Sequence, residues 1–155
     1  MKIIGFRNST NCLRYAILNW DGEIVSFKNK VGEHSLKYPA GLENTDQKLK
    51  WLHDEVTRIL TKNPDAECVG LKVSEYGRAE KKSSRYTSYA DSIVFLTCAQ
   101  NNLSIYDFIY SQLPTTSQKV KAYAEGLSGK TDKYWDTQIS DAIAVAVAAR
   151  KKTNG

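Results

Sequence analysis

The chain has 155 residues, 41% of them hydrophobic and 25% charged, with a net charge of +5. That length and balance suit one domain, residues 1–155, with a core large enough to fold without staples. No run is long enough to span a membrane, and the apolar start is too short for a secretory signal. The modest basic surplus permits DNA or RNA as a partner but does not demand one. Cys12, Cys68 and Cys98 are odd in number, widely spaced and set among apolar residues. They read as buried free thiols of a reducing, cytoplasmic compartment, and neither His34 nor His53 has a second ligand at metal spacing.

Taken in order, residues 2–6 form a short apolar strand and residues 12–20 alternate well enough for a second. Asp21-Gly22 is a hairpin turn signal, since both central positions of that turn need positive φ. Residues 23–31 alternate as a third strand, which makes an antiparallel meander. After a loop with Pro39 and Gly41, Thr45 stands as an N-cap before the apolar stripe Leu49, Leu52, Val56, Ile59 and Leu60. That spacing predicts a helix ending near Asn63-Pro64. Residues 67–74 make a fourth strand. A polar, cationic segment follows, and residues 84–101 read as a helix stopped by Asn101-Asn102. Residues 103–109 give a fifth strand, and Pro114-Thr115-Thr116 opens a short basic helix carrying Lys119 and Lys121.

The last element is the most distinctive. Between Trp135 and Lys152 the chain has its longest run of small and apolar residues, and it closes on Arg150, Lys151 and Lys152. Alanine favours helix, and the three cations suit the negative end of a helix dipole. With few large side chains, such a helix can lie close against a sheet. Asp141 interrupts its apolar half. A lone helical Asp either faces water on a rim or is buried with a partner, because Asp is almost never buried alone.

The predicted order β-β-β-α-β-α-β-α-α implies a mixed sheet of five strands with helices on both faces, and it resembles the ribonuclease-H-like α/β fold. Ile3-Ile4-Gly5-Phe6-Arg7-Asn8-Ser9, followed by Tyr15-Ala16-Ile17-Leu18, resembles the first-strand motif of RuvC-type Holliday-junction resolvases. Asp141-Ala142-Ile143-Ala144-Val145-Ala146 resembles their closing helix, and Val69-Gly70-Leu71-Lys72 falls where their second acidic motif would lie. Short bacterial RuvC-like proteins with degraded catalytic motifs look similar. The resemblance implies clustered carboxylates that hold two divalent ions, Mg or Mn, for phosphodiester cleavage. Matched residue by residue, this chain departs from that pattern. Arg7 stands at the first acidic position and Lys72 at the second, Gln138 takes the first of the last-helix pair, and Asp141 alone is retained. One carboxylate beside two cations cannot assemble two hard metal ions, which want several oxygen ligands. Arg7 and Lys72 are therefore expected to serve Asp141 as counter-charges, holding it ionised.

Residues 76–86 combine Arg78, Lys81, Lys82 and Arg85 with tyrosines, a mixture that suits phosphates and stacked bases, although a solvated surface would look the same. Lys119 and Lys121 belong to a second basic stretch. Trp20, Trp51 and Trp135 read as core or rim packing.

Three readings follow. The first is a catalytically degenerate RuvC-like module, with no metal or other cofactor, that associates with nucleic acid or a protein partner. The second is a metal-dependent, structure-specific endonuclease using Asp141 with Glu75 and Asp136. The third is an interaction domain with no nucleic-acid role, working through a homodimer or another protein.

Overall fold

The apolar run after Met1 forms the central strand of one mixed sheet, β1 (Lys2–Asn8), in a computed structural model that describes residues 1–77 and 79–155. Arg78 lies outside the described residues. β2 (Cys12–Asp21) pairs antiparallel with β1, and β3 (Ile24–Phe27) pairs antiparallel with β2 across the Asp21-Gly22 turn, where Gly22 has φ +60. A short β4 (Ser35–Lys37) pairs with the start of β2. After α1 (Thr45–Lys62), β5 (Ala66–Lys72) returns parallel to β1. α2 (Lys82–Gln100) leads to β6 (Ser104–Phe108), parallel to β5. A single 3-10 turn at Tyr110–Gln112 and α3 (Val120–Ser128) precede α4 (Thr137–Asn154). The sheet order is β3-β2-β1-β5-β6, so the first and fourth expected strands are neighbours.

Several expectations need correction. The five expected strands form the path of the sheet, but among the described residues a short sixth, β4, is added beside β2, because the third expected strand breaks after Phe27 and leaves part of the β2 edge to it. Asn29 explains the break. Its side-chain oxygen accepts the Ile17 N–H at 2.7 Å and its amide donates to the Tyr15 carbonyl at 3.1 Å, so one side chain takes over ladder bonds a strand would have made. Asn44, not Thr45, is the N-cap of α1, with no side-chain bond to the helix. The basic helix begins at Val120 instead of near Pro114, and residues 113–119 form bends and turns.

Two layers of core flank the sheet. On one face Ile3, Ala16 and Cys68 meet α3 and α4; on the other, Ile4, Phe6 and Val69 meet α1 and α2. Residues Ile139–Ala146 of α4 are buried around the whole helix, Ser140 and Asp141 among the apolar side chains. Gly5 and Gly70, partners in the β1–β5 ladder, make this possible. A Cβ at Gly5 would overlap the Ala142 carbonyl, and one at Gly70 would overlap the Val145 carbonyl. Two facing glycines thus form a flat bed on which the alanine-rich helix rests backbone to backbone. The three cysteines are free and buried, and among the described residues no helix is long and apolar enough to cross a membrane.

Candidate functional site

Parallel strands end together, so β1, β5 and β6 deliver their last residues to one end of the sheet. Arg7 and Lys72 are partners in the β1–β5 ladder, and α4, seated on the glycine bed, brings Asp141 over them. The Arg7 Nε lies 3.3 Å from Asp141 Oδ2. That nitrogen has no aligned hydrogen-bond partner, so the contact is one of charge more than of a directed bond. Arg7 also donates from Nη1 to the Lys72 carbonyl at 3.3 Å. Asp141 is 1% exposed, whereas the Arg7 side chain keeps 21% of its surface in water.

Lys72 is fully buried and makes a different pairing. Its Nζ donates to Glu75 Oε1 at 3.0 Å and to the Val73 carbonyl at 2.6 Å. β5 stops at Lys72, and the loop after it swings Glu75 back toward the sheet end, where Glu75 also accepts the Tyr110 N–H at 2.8 Å. Tyr110, just past β6, closes the cluster. Its hydroxyl donates to Asp141 Oδ1 at 2.6 Å, and its ring covers Lys72, whose Nζ is 4.2 Å from the ring centroid. Two cations therefore meet two carboxylates, with a tyrosine tying both pairs together.

The electrostatics are dominated by burial. Loss of water pushes the Asp141 carboxyl above its ordinary value, although Tyr110, Arg7 and Lys72 pull it back. The counter-charges thus offset the desolvation of Asp141 only in part. Burial lowers Lys72, against the pull of Glu75. For Glu75, partial burial is outweighed by the Tyr110 N–H and Lys72, and the carboxyl sits below its usual range. Burial and then the bond to Asp141 raise the Tyr110 hydroxyl.

The remaining sequence candidates are dispersed. Gln138 turns toward β2, with its Oε1 3.7 Å from Cys12 Sγ. Asp136 is the N-cap of α4, accepting the Ile139 N–H at 3.0 Å, and its other oxygen pairs with Arg14 at 2.9 Å. Lys81, Lys82 and Arg85 lie at the start of α2, on the α1–α2 face. Lys119 and Lys121 are exposed at the start of α3, which packs on the opposite face.

Two participants escaped sequence reasoning. Tyr110 sits beyond a strand end and left no periodic signal. Asp91 did leave one: it lies three and seven residues before Val94 and Cys98, on the buried stripe of α2. It accepts a hydrogen bond from Asn8 Nδ2 at 2.9 Å, and both side chains are buried. Burial raises the Asp91 carboxyl to about 6, opposed by Asn8 and by the nearby charges of Arg7 and Lys72. Among the described residues no group of three or more His, Cys, Asp or Glu is placed to hold a metal ion.

No protein-family model matches the chain, and no curated protein is similar to it in sequence. Solved structures are similar in shape. RuvC of Thermus thermophilus, in complex with a Holliday junction substrate, is 13% identical over 99% of this chain and 95% of that one, with a TM-score of 0.79. The Fowlpox virus resolvase, crystallised with Holliday junction DNA, is 15% identical over the whole of both chains at a TM-score of 0.61. The yeast mitochondrial Holliday junction resolvase is 10% identical over 97% of this chain and 78% of that one, at 0.63. At such identities the likeness is one of architecture, and it follows the order of strands and helices set out above: the chain has the RuvC-like form of the ribonuclease-H-like fold.

Proposed function

We propose that this chain is a RuvC-like module that associates with nucleic acid without cutting it. The observation that carries the reading is the internal pairing at the strand ends, Arg7 on Asp141 and Lys72 on Glu75. The fold implies a pair of divalent ions at such a position, and the donor set here does not suit them. Of the two carboxylates, one is committed to a guanidinium and a phenol, the other to an ammonium and a backbone N–H. Hard divalent cations want several free oxygens and are repelled by fixed cations a few ångströms away. The association with nucleic acid is supported by the fold's resemblance to junction resolvases and by the chain's basic surplus.

Calorimetry with magnesium and manganese, alongside incubation with branched and single-stranded DNA, tests the reading. The wild-type chain should give no metal-binding heat and no cleavage, yet bind DNA with a steep salt dependence. The double change Arg7→Asp and Lys72→Glu restores acids at both strand ends and should create a manganese site the wild type lacks. Metal-dependent cleavage that disappears in Asp141→Asn would overturn the proposal in favour of an endonuclease. Absence of any DNA or RNA binding would leave an interaction domain instead.

A further inference from the structure

A second charged region lies on the other face of the sheet, between the starts of α1 and α2, around an open groove of about 800 Å³. Among the described residues Lys48, Lys81, Lys82 and Arg85 line it, with one carboxylate, Glu43. Arg85 also meets Glu80 at 2.8 Å, but both side chains are more than half exposed, and such a pair offsets little charge.

The start of α2 adds to the imbalance. Each α-helix carries partial positive charge at its N-terminus, and an acid there is stabilising. α1 has Asp46 in its first turn and α4 has Asp136 as its cap. α2 has neither: its N-cap is Lys81, its first residue is Lys82 and no acid lies in its first turn; Ser84 Oγ accepts the Lys81 N–H at 2.9 Å, but the Lys81 side chain makes no bond to the helix. Helix dipole and lysine charges therefore add at one place, and the groove collects them. The arrangement is unfavourable for the isolated chain and favourable once an anion arrives.

The aromatic residues narrow the class of anion. Tyr86 is a fixed wall, buried, with its hydroxyl bonded to that of Tyr38 at 2.5 Å and the Lys48 Nζ 5.3 Å from its ring centroid. Tyr89 differs: it is 44% exposed on the same groove, one helical turn beyond Arg85. An exposed ring beside a row of cations is the arrangement that holds a strand with unpaired bases, the cations following phosphates and the ring stacking on a base. A duplex keeps its bases stacked inside and could offer this groove phosphates only.

We infer that the groove between the starts of α1 and α2 binds a short run of single-stranded nucleic acid, with phosphates on Lys48, Lys81 and Lys82 and a base on Tyr89. The inference rests on the reading of the chain as a nucleic-acid module. It adds the strand class, and it needs no divalent ion.

Fluorescence anisotropy of a labelled oligothymidine and of a duplex of equal length, both in EDTA across a salt series, tests it. The single strand should bind more tightly than the duplex. Lys48→Glu with Lys82→Glu should flatten the log–log salt slope by at least about 1.4, roughly 0.7 for each phosphate no longer neutralised. Tyr89→Ala should weaken single-strand binding by roughly 5- to 150-fold and leave the salt slope unchanged. Lys119→Glu with Lys121→Glu, on the opposite face, should alter neither, and circular dichroism should show every variant folded. If the α3 pair reduces binding and the groove pair does not, the groove assignment is wrong while nucleic-acid association stands. A preference for duplex, or an unchanged affinity in Tyr89→Ala, overturns the single-strand inference in the same way. A wild type that binds neither probe defeats both this inference and the function it rests on.

Discussion

At the ends of β1 and β5 two cations meet two carboxylates; at the start of α2 four cations line a groove against one. The two regions differ first in burial. Asp141 and Lys72 are shut away from water, where an unpaired charge is prohibitive, so each must find a partner inside the chain. The lysines of the groove are solvated and tolerate their surplus at little cost, so they remain available to a ligand from outside. Charge that the fold neutralises for itself is structural, and charge that it leaves open is available for binding.

If that distinction is sound, mutations should separate the two regions by sign as well as by size. The buried cluster should show the larger effects. Removing the Asp141 carboxylate by Asp141→Ala leaves Arg7 without its counter-charge and orphans the Tyr110 hydroxyl, so urea unfolding should show a loss of about 1 to 3 kcal/mol. Adding Arg7→Met to that variant should recover part of the loss, because it removes the uncompensated guanidinium. A single mutant as stable as wild type would mean the pair contributes nothing.

Gly5→Ala probes the same cluster through its support. The added methyl would collide with the Ala142 carbonyl, next to Asp141, and helix and strand must part to admit it. Overpacking of this kind typically costs about 1 to 3 kcal/mol, read in the same unfolding experiment.

Asp91 gives a pH dependence with a definite sign. Its carboxyl stands at about 6 in the folded chain, above the ordinary value of 3.8. The folded state therefore holds its proton more tightly, and this contribution is present below about pH 4 and lost as pH rises through 6. Asp91→Asn keeps the oxygen that accepts from Asn8 and abolishes the titration. It should stabilise the protein by about 3 kcal/mol at pH 7.5 and hardly at all at pH 3.5. Equal effects at both pH values would show that Asp91 does not titrate in that window.

The smallest effect belongs to the groove and has the opposite sign from Asp141→Ala and Gly5→Ala. Lys82→Glu puts an acid at the first position of α2, where the helix dipole favours it, and should raise stability by about 0.3 to 1 kcal/mol in thermal unfolding. A loss of stability would mean that the lysine is already compensated within the chain.

Much of the fold was legible in local pattern, because alternation and helical spacing report which face of an element is buried. The final helix, the opening hairpin and the parallel return of β5 all followed from that. β4 was not legible, since three residues carry no period. In the candidate site, Arg7, Lys72 and Asp141 were recognisable as charges at positions that burial would make costly. Tyr110 was not, because a residue just past a strand end has no pattern to violate. Glu75 could be assigned to no face, since alternation stops where β5 stops.

Read along the chain alone, the residues specify the inventory of elements and the presence of charges that must be accounted for. Both arise from interactions within a few residues, where spacing along the chain translates directly into spacing on a face. The pairing of those charges was decided by the tertiary structure. Arg7 and Asp141 come from the first strand and the last helix, and they meet because Gly5 and Gly70 let α4 settle onto the sheet at one height and no other. Lys48 and Lys82 share a groove only because α1 and α2 pack side by side on the same face. Distances across the fold depend on how layers seat against each other, and no local period records that.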